Sequence, residues 1–235
     1  MRYEPHICKE EIHMVRNTNK NSNTSSDWID VTVPIRVGMA IWPGNATLQI
    51  ECHHSIIQGE GNSNSTIHMG AHTGTHMDAP LHFLDNHKSI DQMPFDAAIG
   101  PARVIEIRDT ESIKPEELKQ YNIQRGERIL FKTRNSQTCW QTDTFVENFV
   151  YITKEAARLL ADSGVILIGI DYLSVGGFKQ DLVETHRTLL GADIWLIEGL
   201  DLSGVSAGNY DLICLPLKLV QAEASPVRAV LRPIP

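Results

Sequence analysis

The stretch HTGTHMDAPLH, residues 72–82, places three histidines and an aspartate within eleven residues. Imidazole and carboxylate groups together form the common ligand set of a catalytic divalent metal ion. His72, His76, Asp78 and His82 all occupy even positions, so an extended chain would direct the four side chains to one side. The density and the spacing together predict a metal site in this stretch.

A straight strand cannot bring these four side chains to one ion. At about 3.3 Å per residue, its two terminal histidines would lie about 33 Å apart, whereas ligands sit about 2 Å from a metal. A helix would align His72 with His76 at i and i+4, but β-branched threonines, Gly74 and Pro80 are unfavourable inside a helix. We therefore predict a tight loop or a bulged strand that bends at Gly74 and Pro80.

The composition of the chain is that of a globular protein. Its 235 residues suit one large domain or two small ones, and contents of 42% hydrophobic and 21% charged residues are ordinary. The net charge of −8 argues against a nucleic-acid-binding surface, which needs clustered basic residues. The apolar stretches stay below the roughly 18 residues of a membrane-spanning helix. We expect neither a nucleic acid nor a membrane as a partner.

The first part of the chain differs from the rest. Residues 17–26 are entirely polar and cannot bury apolar area, and the N-terminus lacks the apolar core of a signal peptide. We predict a flexible polar segment over residues 1–26 and one folded domain over residues 27–235. The cysteines at 8, 52, 139 and 214 form no C-x-x-C pair, which favours reduced thiols in a cytoplasmic protein.

Strand-like and helix-like segments alternate along the domain, which predicts a mixed α/β fold. Helices are expected after turn-forming or capping residues, at 115–121, 153–162 and 179–190. Strands are expected where apolar and β-branched residues alternate or cluster, at 30–37, 47–52, 102–107, 128–133, 165–170, 194–198, 212–217 and 227–232.

One loop leaves a metal site incomplete, and two residues further along the chain are candidates to complete it. His186 lies within a predicted helix, and Glu198 ends an apolar strand. A glutamate in such a position is costly to bury unless it is paired or bound to a metal. On spacing alone both residues remain candidates, and the aspartates at 171, 181 and 193 are interpreted as caps and turn residues.

Taken together, these segments resemble the cyclase or kynurenine formamidase family of metal-dependent hydrolases. The family signature His-x-Gly-Thr-His-x-Asp-x-Pro-x-His is matched without exception in residues 72–82. Further segments that resemble family landmarks span the chain from about residue 30 to 232: WPG at 42–44, GPARV at 100–104, GID at 169–171, IEGL at 197–200 and ASPVRAVL at 224–231.

The resemblance implies a compact domain of the swivelling β/β/α type with a barrel-like mixed sheet, and a homodimer or higher homo-oligomer. It also implies two bound metal ions, usually zinc, with manganese possible. One ion would be held by His72, His76 and Asp78. The other would be held by Asp78, His186 and Glu198. Both carboxylates would then bridge the two ions.

The chemistry implied by the resemblance is amide hydrolysis. A divalent metal lowers the pKa of bound water from 15.7 to about 7, and His82 would transfer the proton to the leaving nitrogen. The expected activity is that of an arylformamidase, which cleaves N-formylkynurenine to formate and an aryl amine, with Trp42 as an aromatic wall for the substrate ring.

Three alternatives remain open from the sequence. One is the opening of a cyclic aryl amide, as in isatin hydrolases. A second is the hydrolysis of a different cyclic amide or lactone. A third, from another class, is a metal-stabilised binding protein without turnover.

Overall fold

The computed structural model of the protein describes residues 27–234, and the predicted flexible segment, residues 1–26, lies outside the described residues. Within residues 27–234 the chain forms twelve β-strands and five α-helices. The strands, in chain order, are β1 Ile29–Asp30, β2 Gln49–His54, β3 Asn64–His68, β4 His76–Asp78, β5 Ile99–Glu106, β6 Ser112–Ile113, β7 Arg128–Lys132, β8 Tyr151–Ile152, β9 Leu167–Ile170, β10 Trp195–Glu198, β11 Gly208–Pro216 and β12 Ala224–Pro233. The helices are α1 Phe95–Ala98, α2 Pro115–Leu118, α3 Asn135–Thr138, α4 Lys154–Ser163 and α5 Leu182–Gly191.

Seven strands close into a ring at the centre of the domain. Their order is β12, β11, β5, β7, β9, β10 and β4, and β4 pairs back onto β12. The strands β5, β7, β9 and β10 run parallel to one another, whereas the other pairings in the ring are antiparallel. Strand β1 adds to β12 outside the ring. The prediction of one α/β domain with a barrel-like mixed sheet is confirmed.

Alternate side chains of the ring strands face two different apolar cores. On β10, Trp195 and Ile197 lie in the core enclosed by the ring, whereas Leu196 lies in a second core beneath α4 and α5. Glu198 continues this alternation, so its side chain leaves the ring on the helix side. The outer face of β10, which α5 contacts, therefore carries the polar groups of the site.

Capping residues bound α4, and backbone conformation sets the start of α5, the other of the two longest helices in the described chain. Helix α4 follows Thr153, whose side chain accepts a hydrogen bond from the Ala156 amide at 3.2 Å. It ends at Ser163, and Gly164, with φ of 71°, lies just past the end as predicted. Helix α5 begins later than predicted because Lys179 and Asp181 have φ values of 62° and 54°, which no right-handed helix contains. Within residues 27–234, no helix has the length and apolar character needed to cross a membrane.

The predicted strand over residues 30–37 is wrong, since only its first residue belongs to β1. The Val33 amide donates to the Thr75 hydroxyl at 2.9 Å instead of to a neighbouring strand, and Pro34 has no amide hydrogen to donate. The segment therefore leaves the sheet to support the turn before β4. The other predicted strands are present with shifted ends.

Candidate metal centre

The histidine-rich motif folds as a turn, a short strand and a second turn. Residues 71–75 form the first turn, residues 76–78 are β4, and Pro80 begins a 3₁₀ turn that ends at His82. Gly74 has φ of 65°, a conformation that glycine adopts without steric cost. The chain thus bends at Gly74 and Pro80, as the sequence predicts, and folds back on itself.

A tight contact fixes the first turn against the end of β10. The Thr75 hydroxyl donates to the Gly199 carbonyl at 2.6 Å and accepts from the Val33 amide at 2.9 Å. Gly199 has φ of 75°, and a Cβ atom there would lie 2.3 Å from the carbonyl oxygen of Gly74. Only glycine therefore allows β10 and the motif to approach this closely.

Strand pairing and helix packing bring the distant candidates to the motif. In the antiparallel pair of β4 and β10, His76 lies directly opposite Glu198, and His76 Nε2 is 3.3 Å from Glu198 Oε2. His186 projects from α5, with Nε2 3.2 Å from Glu198 Oε1 and 4.0 Å from Asp78 Oδ2. Residues that are far apart in the sequence thus share one buried site.

The other two histidines of the motif contact Asp78 from the solvent side. His72 Nδ1 lies 2.9 Å from Asp78 Oδ1, and His82 Nε2 lies 3.9 Å from Oδ2. The His82 side chain is 27% exposed, against 2% for His76 and 3% for His186. All six residues predicted as ligands or acid–base group therefore surround one point, and His82 is the histidine most open to solvent.

Two groups of side chains in the described chain could each hold an ion. The candidate ligand atoms of His72, Asp78 and His82 lie within 4.8 Å of one another, as do those of His76, Asp78 and Glu198. Asp78 is common to both groups, which agrees with a bridging carboxylate. His72 adjoins two histidines, since its ring centroid lies 4.1 Å from that of His82 and 5.0 Å from that of His76. Both His72 Nδ1 and His76 Nε2 face Asp78 Oδ1, at 2.9 and 3.5 Å.

The surroundings of Asp78 fit a bound cation. Its side chain is fully buried, and neither carboxylate oxygen accepts a hydrogen bond from any residue in the range 27–234. A buried charge without hydrogen bonds is costly unless it is paired or coordinates a metal. A divalent cation with imidazole co-ligands would satisfy both oxygens.

The electrostatics favour ionised carboxylates at this point. Burial alone would raise the pKa of Asp78, but the charges of His72, His82 and His76 lower it overall. Burial likewise opposes ionisation of His72, yet the attraction of Asp78 raises the pKa of His72 to about 9. Burial is the main reason that the pKa of His82 is lowered. A metal that binds at His72 must therefore displace a proton.

The chain matches known proteins over most of its length. Residues 29–176 match the model of the Cyclase family. The chain belongs to the cyclase family. A kynurenine formamidase from Bacillus cereus is 34% identical over 210 residues, which cover 89% of this chain and 99% of the relative.

Several solved structures share the fold. One, described as a potential metal-dependent hydrolase with cyclase activity, has a TM-score of 0.76 and 34% identity, covering 88% of this chain and 98% of the other. Isatin hydrolase A from Labrenzia aggregata has a TM-score of 0.75 at 23% identity, with coverage of 87% and 92%. The kynurenine formamidase and the metal-dependent hydrolase, both 34% identical to this chain, confirm the predicted class, a metal-dependent hydrolase of carbon–nitrogen bonds other than peptide bonds.

Backbone groups orient two of the histidines in this cyclase-family site. His76 Nδ1 lies 2.9 Å from the Gly74 carbonyl, and His186 Nδ1 lies 2.7 Å from the Leu182 carbonyl. A carbonyl oxygen can only accept, so Nδ1 carries the hydrogen and Nε2 is left as an electron-pair donor. Both Nε2 atoms face the carboxylates, as a ligand nitrogen must.

Three residues that shape the site are not predicted from the sequence. The Val175 amide donates to Glu198 Oε1 at 2.7 Å. The Phe83 ring stacks on His186, with centroids 4.3 Å apart and an interplanar angle of 16°. Glu223 Oε1 lies 3.6 Å from His72 Nε2. No sequence pattern of their own marks Phe83 and Glu223. Phe83 only adjoins the motif, and Glu223 only adjoins the segment 224–231 that resembles a family landmark.

Trp42 belongs to an aromatic cluster beside the site. Its ring makes edge contacts with Phe145 and Phe178, at centroid distances of 5.2 and 5.6 Å. The cluster also includes Tyr172, whose carbonyl accepts from the Gly199 amide at 2.8 Å. Because Gly199 directly follows Glu198, the aromatic cluster and the candidate metal centre adjoin one another through the backbone.

Proposed function

We propose that this cyclase-family protein is an arylformamidase, which hydrolyses a small aryl formamide such as N-formylkynurenine to formate and an aryl amine. The observation that carries the proposal is Asp78, a fully buried carboxylate without hydrogen bonds in residues 27–234 and surrounded by four imidazoles. Such a centre suits metal-assisted hydrolysis. The substrate class is supported by the kynurenine formamidase of B. cereus, which aligns with this chain at 34% identity.

We assign the metal ligands as the family resemblance implies. His72, His76 and Asp78 would hold one ion, and Asp78, His186 and Glu198 would hold a second. Imidazole and carboxylate donors suit zinc, and manganese is the alternative. When bound, the metal supplies acidification of water and polarisation of the amide carbonyl.

We assign the proton transfer to His82. Its support is position, since His82 borders Asp78 at 3.9 Å and is the most exposed of the four histidines. His82 takes a proton from the attacking water, whose oxygen bonds to the formyl carbon. It then donates that proton to the aryl nitrogen as the carbon–nitrogen bond breaks, which releases the amine and formic acid, and the acid loses its proton to solvent to give formate. The edge contact of Phe83 with His82, at 4.5 Å between centroids, limits rotation of the imidazole.

Trp42 is proposed as the aromatic wall for the substrate ring, supported by its place in the aromatic cluster whose Tyr172 carbonyl accepts from the Gly199 amide. A homodimer or higher homo-oligomer and a cytoplasmic location stay predictions. Cys139 and Cys214 are buried free thiols, which is compatible with a reducing compartment.

The direct test is formate release from N-formylkynurenine by the full chain loaded with zinc or with manganese. The variant Asp78→Asn, which keeps the side-chain shape and removes the charge, gives the background rate. Formate release well above that background supports the proposal. Ring opening of isatin without formate release would instead favour the cyclic-amide alternative. Bound metal without turnover of either compound would favour a binding protein.

A further inference from the structure

A histidine that binds a metal needs a partner on its other ring nitrogen. One nitrogen donates its electron pair to the ion, while the other carries a hydrogen and is held by an acceptor that fixes the ring. For His76 and His186 this acceptor is a backbone carbonyl, and Nε2 faces the carboxylates. The fold itself therefore sets the orientation of these two rings.

His72 is arranged the other way round. Its Nδ1 faces the site, 2.9 Å from Asp78 Oδ1. Its Nε2 is buried and has no hydrogen-bond partner among residues 27–234. The acidic oxygen opposite Nε2 is Glu223 Oε1, at 3.6 Å. A small side-chain movement would shorten that separation to a hydrogen bond, whose usual length is about 2.7–3.2 Å.

We propose that Glu223 is the positioning residue for His72. Its carboxylate accepts the hydrogen of Nε2, which turns Nδ1 towards Asp78 and the metal. This inference rests on the proposed metal site and adds a residue that does not itself bind the ion. Paired carboxylate, imidazole and metal are a common arrangement, in which the carboxylate also makes the imidazole a stronger donor.

The backbone places Glu223 at this position. Its carbonyl accepts from the Ala79 amide at 2.9 Å, and the next residue, Ala224, lies opposite Asp78 in the pairing of β12 with β4. The same ladder that holds Asp78 therefore holds Glu223. A surface glutamate on a flexible loop would have no such fixed relation to the motif.

The exposure of Glu223 separates this role from a purely structural one. Its side chain is 45% exposed, against 18% for His72. Ion pairs with that much solvent contact contribute little to the stability of a fold. Removal of the carboxylate should therefore leave the metal-free protein as stable as before and change only the affinity of the ion that His72 holds.

The experiment compares Glu223→Ala and Glu223→Gln with Glu116→Ala and Glu116→Gln. Glu116 is an exposed glutamate of α2, so the second pair makes the same chemical changes away from the site. Zinc affinity and stoichiometry are measured by competition with a chromophoric chelator, and the melting temperature of each metal-free chain is measured by circular dichroism.

We expect Glu223→Ala to lower the affinity for one ion by about 10–100-fold with unchanged stoichiometry at saturating zinc and an unchanged metal-free melting temperature. Glu223→Gln should lose less zinc affinity than Glu223→Ala, because the amide oxygen of glutamine still accepts the hydrogen bond, although it carries no charge. Both Glu116 variants should match the wild type.

Equal zinc affinity in Glu223→Ala and the wild type would overturn the inference, as would complete loss of one ion, which would make Glu223 a ligand. Because the readout is metal binding, absence of formamidase activity in the wild type would refute the proposed reaction alone. A wild-type chain that binds no zinc would refute the metal site and this inference together.

Discussion

The two halves of the metal centre are held in place by different means. The inner half, His76, His186 and Glu198, is buried, and backbone groups contact each of its side chains. The outer half, His72, His82 and Glu223, is partly exposed, and its contacts are with other side chains. Asp78 lies between the two halves and contacts members of both.

This difference indicates that the two halves of the centre have different roles. Because the fold fixes the inner half, changes there should disturb metal binding and stability together. The outer half borders solvent, where a substrate can arrive, so changes there should alter turnover or affinity and leave the fold intact. Four substitutions test this division, beginning with the one that should remove both halves at once.

Asp78→Ala should abolish the centre. It removes the carboxylate common to both candidate groups, so neither ion keeps its full ligand set, and turnover should fall by about 10⁴-fold or more. Metal content by mass spectrometry and formate release are the measurements. Asp85→Ala, at an exposed aspartate in the following loop, is the control. Full metal content in Asp78→Ala would refute the shared ligand.

His82→Ala should separate turnover from metal binding. If His82 transfers the proton, turnover falls by about 10²–10⁴-fold, while both ions remain bound. The exposed His87 provides the control substitution. Loss of an ion from His82→Ala would instead make His82 a ligand beside His72, as their proximity allows.

The sequence predicts the part of the site whose residues lie close together in the chain. All the chemistry of the motif lies within residues 72–82, where Gly74 and Pro80 mark the bends. His186 and Glu198 are only candidates from residue spacing, because a helix contact and a strand register bring them to the motif. Their assignment came from the family resemblance.

Glu223 could not be predicted, since a glutamate between two alanines has no local feature that distinguishes it from a surface residue. Its place depends on the register of β12 against β4, which joins distant parts of the chain. The wrong strand prediction over residues 30–37 has a related cause. Its alternation suits a strand, but the hydroxyl of Thr75, a tertiary partner, takes the amide of Val33.

Gly199→Ala should lower both the stability of the fold and the zinc affinity of the inner half, because it strains the backbone next to Glu198. The added Cβ would meet the Gly74 carbonyl at 2.3 Å, at a φ of 75°, and such strain costs about 1–3 kcal/mol or more. Urea unfolding measures the decrease in the free energy of unfolding, and zinc affinity should fall as well. At Gly204, an added Cβ would have no neighbour within 4 Å in the described chain, so Gly204→Ala is the control. Wild-type stability in Gly199→Ala would show that the turn can move.

Phe83→Leu should have the smallest effect, because it removes a ring and not a ligand. Phe83 contacts His186 by stacking and His82 by its edge, so it joins the two halves. Aromatic pairs of this kind contribute about 0.5–1.5 kcal/mol beyond buried area. We expect a few-fold lower kcat, retained metal and slightly easier unfolding in urea. Phe95→Leu, at a ring that is 72% exposed, should change none of these. Unaltered kcat in Phe83→Leu would show that neither imidazole depends on the ring.

Strand β4 limits where substitutions can be made to change the substrate preference of this enzyme. Its three residues pair with β10 on one edge and with β12 on the other, so the segment that carries His76 and Asp78 is also the seam that closes the barrel. A library of variants at the seam would return mostly unfolded proteins. Variation in the aromatic cluster around Trp42 spares every pairing of the ring. If Trp42 borders the substrate as we propose, new substrate preferences are better sought there.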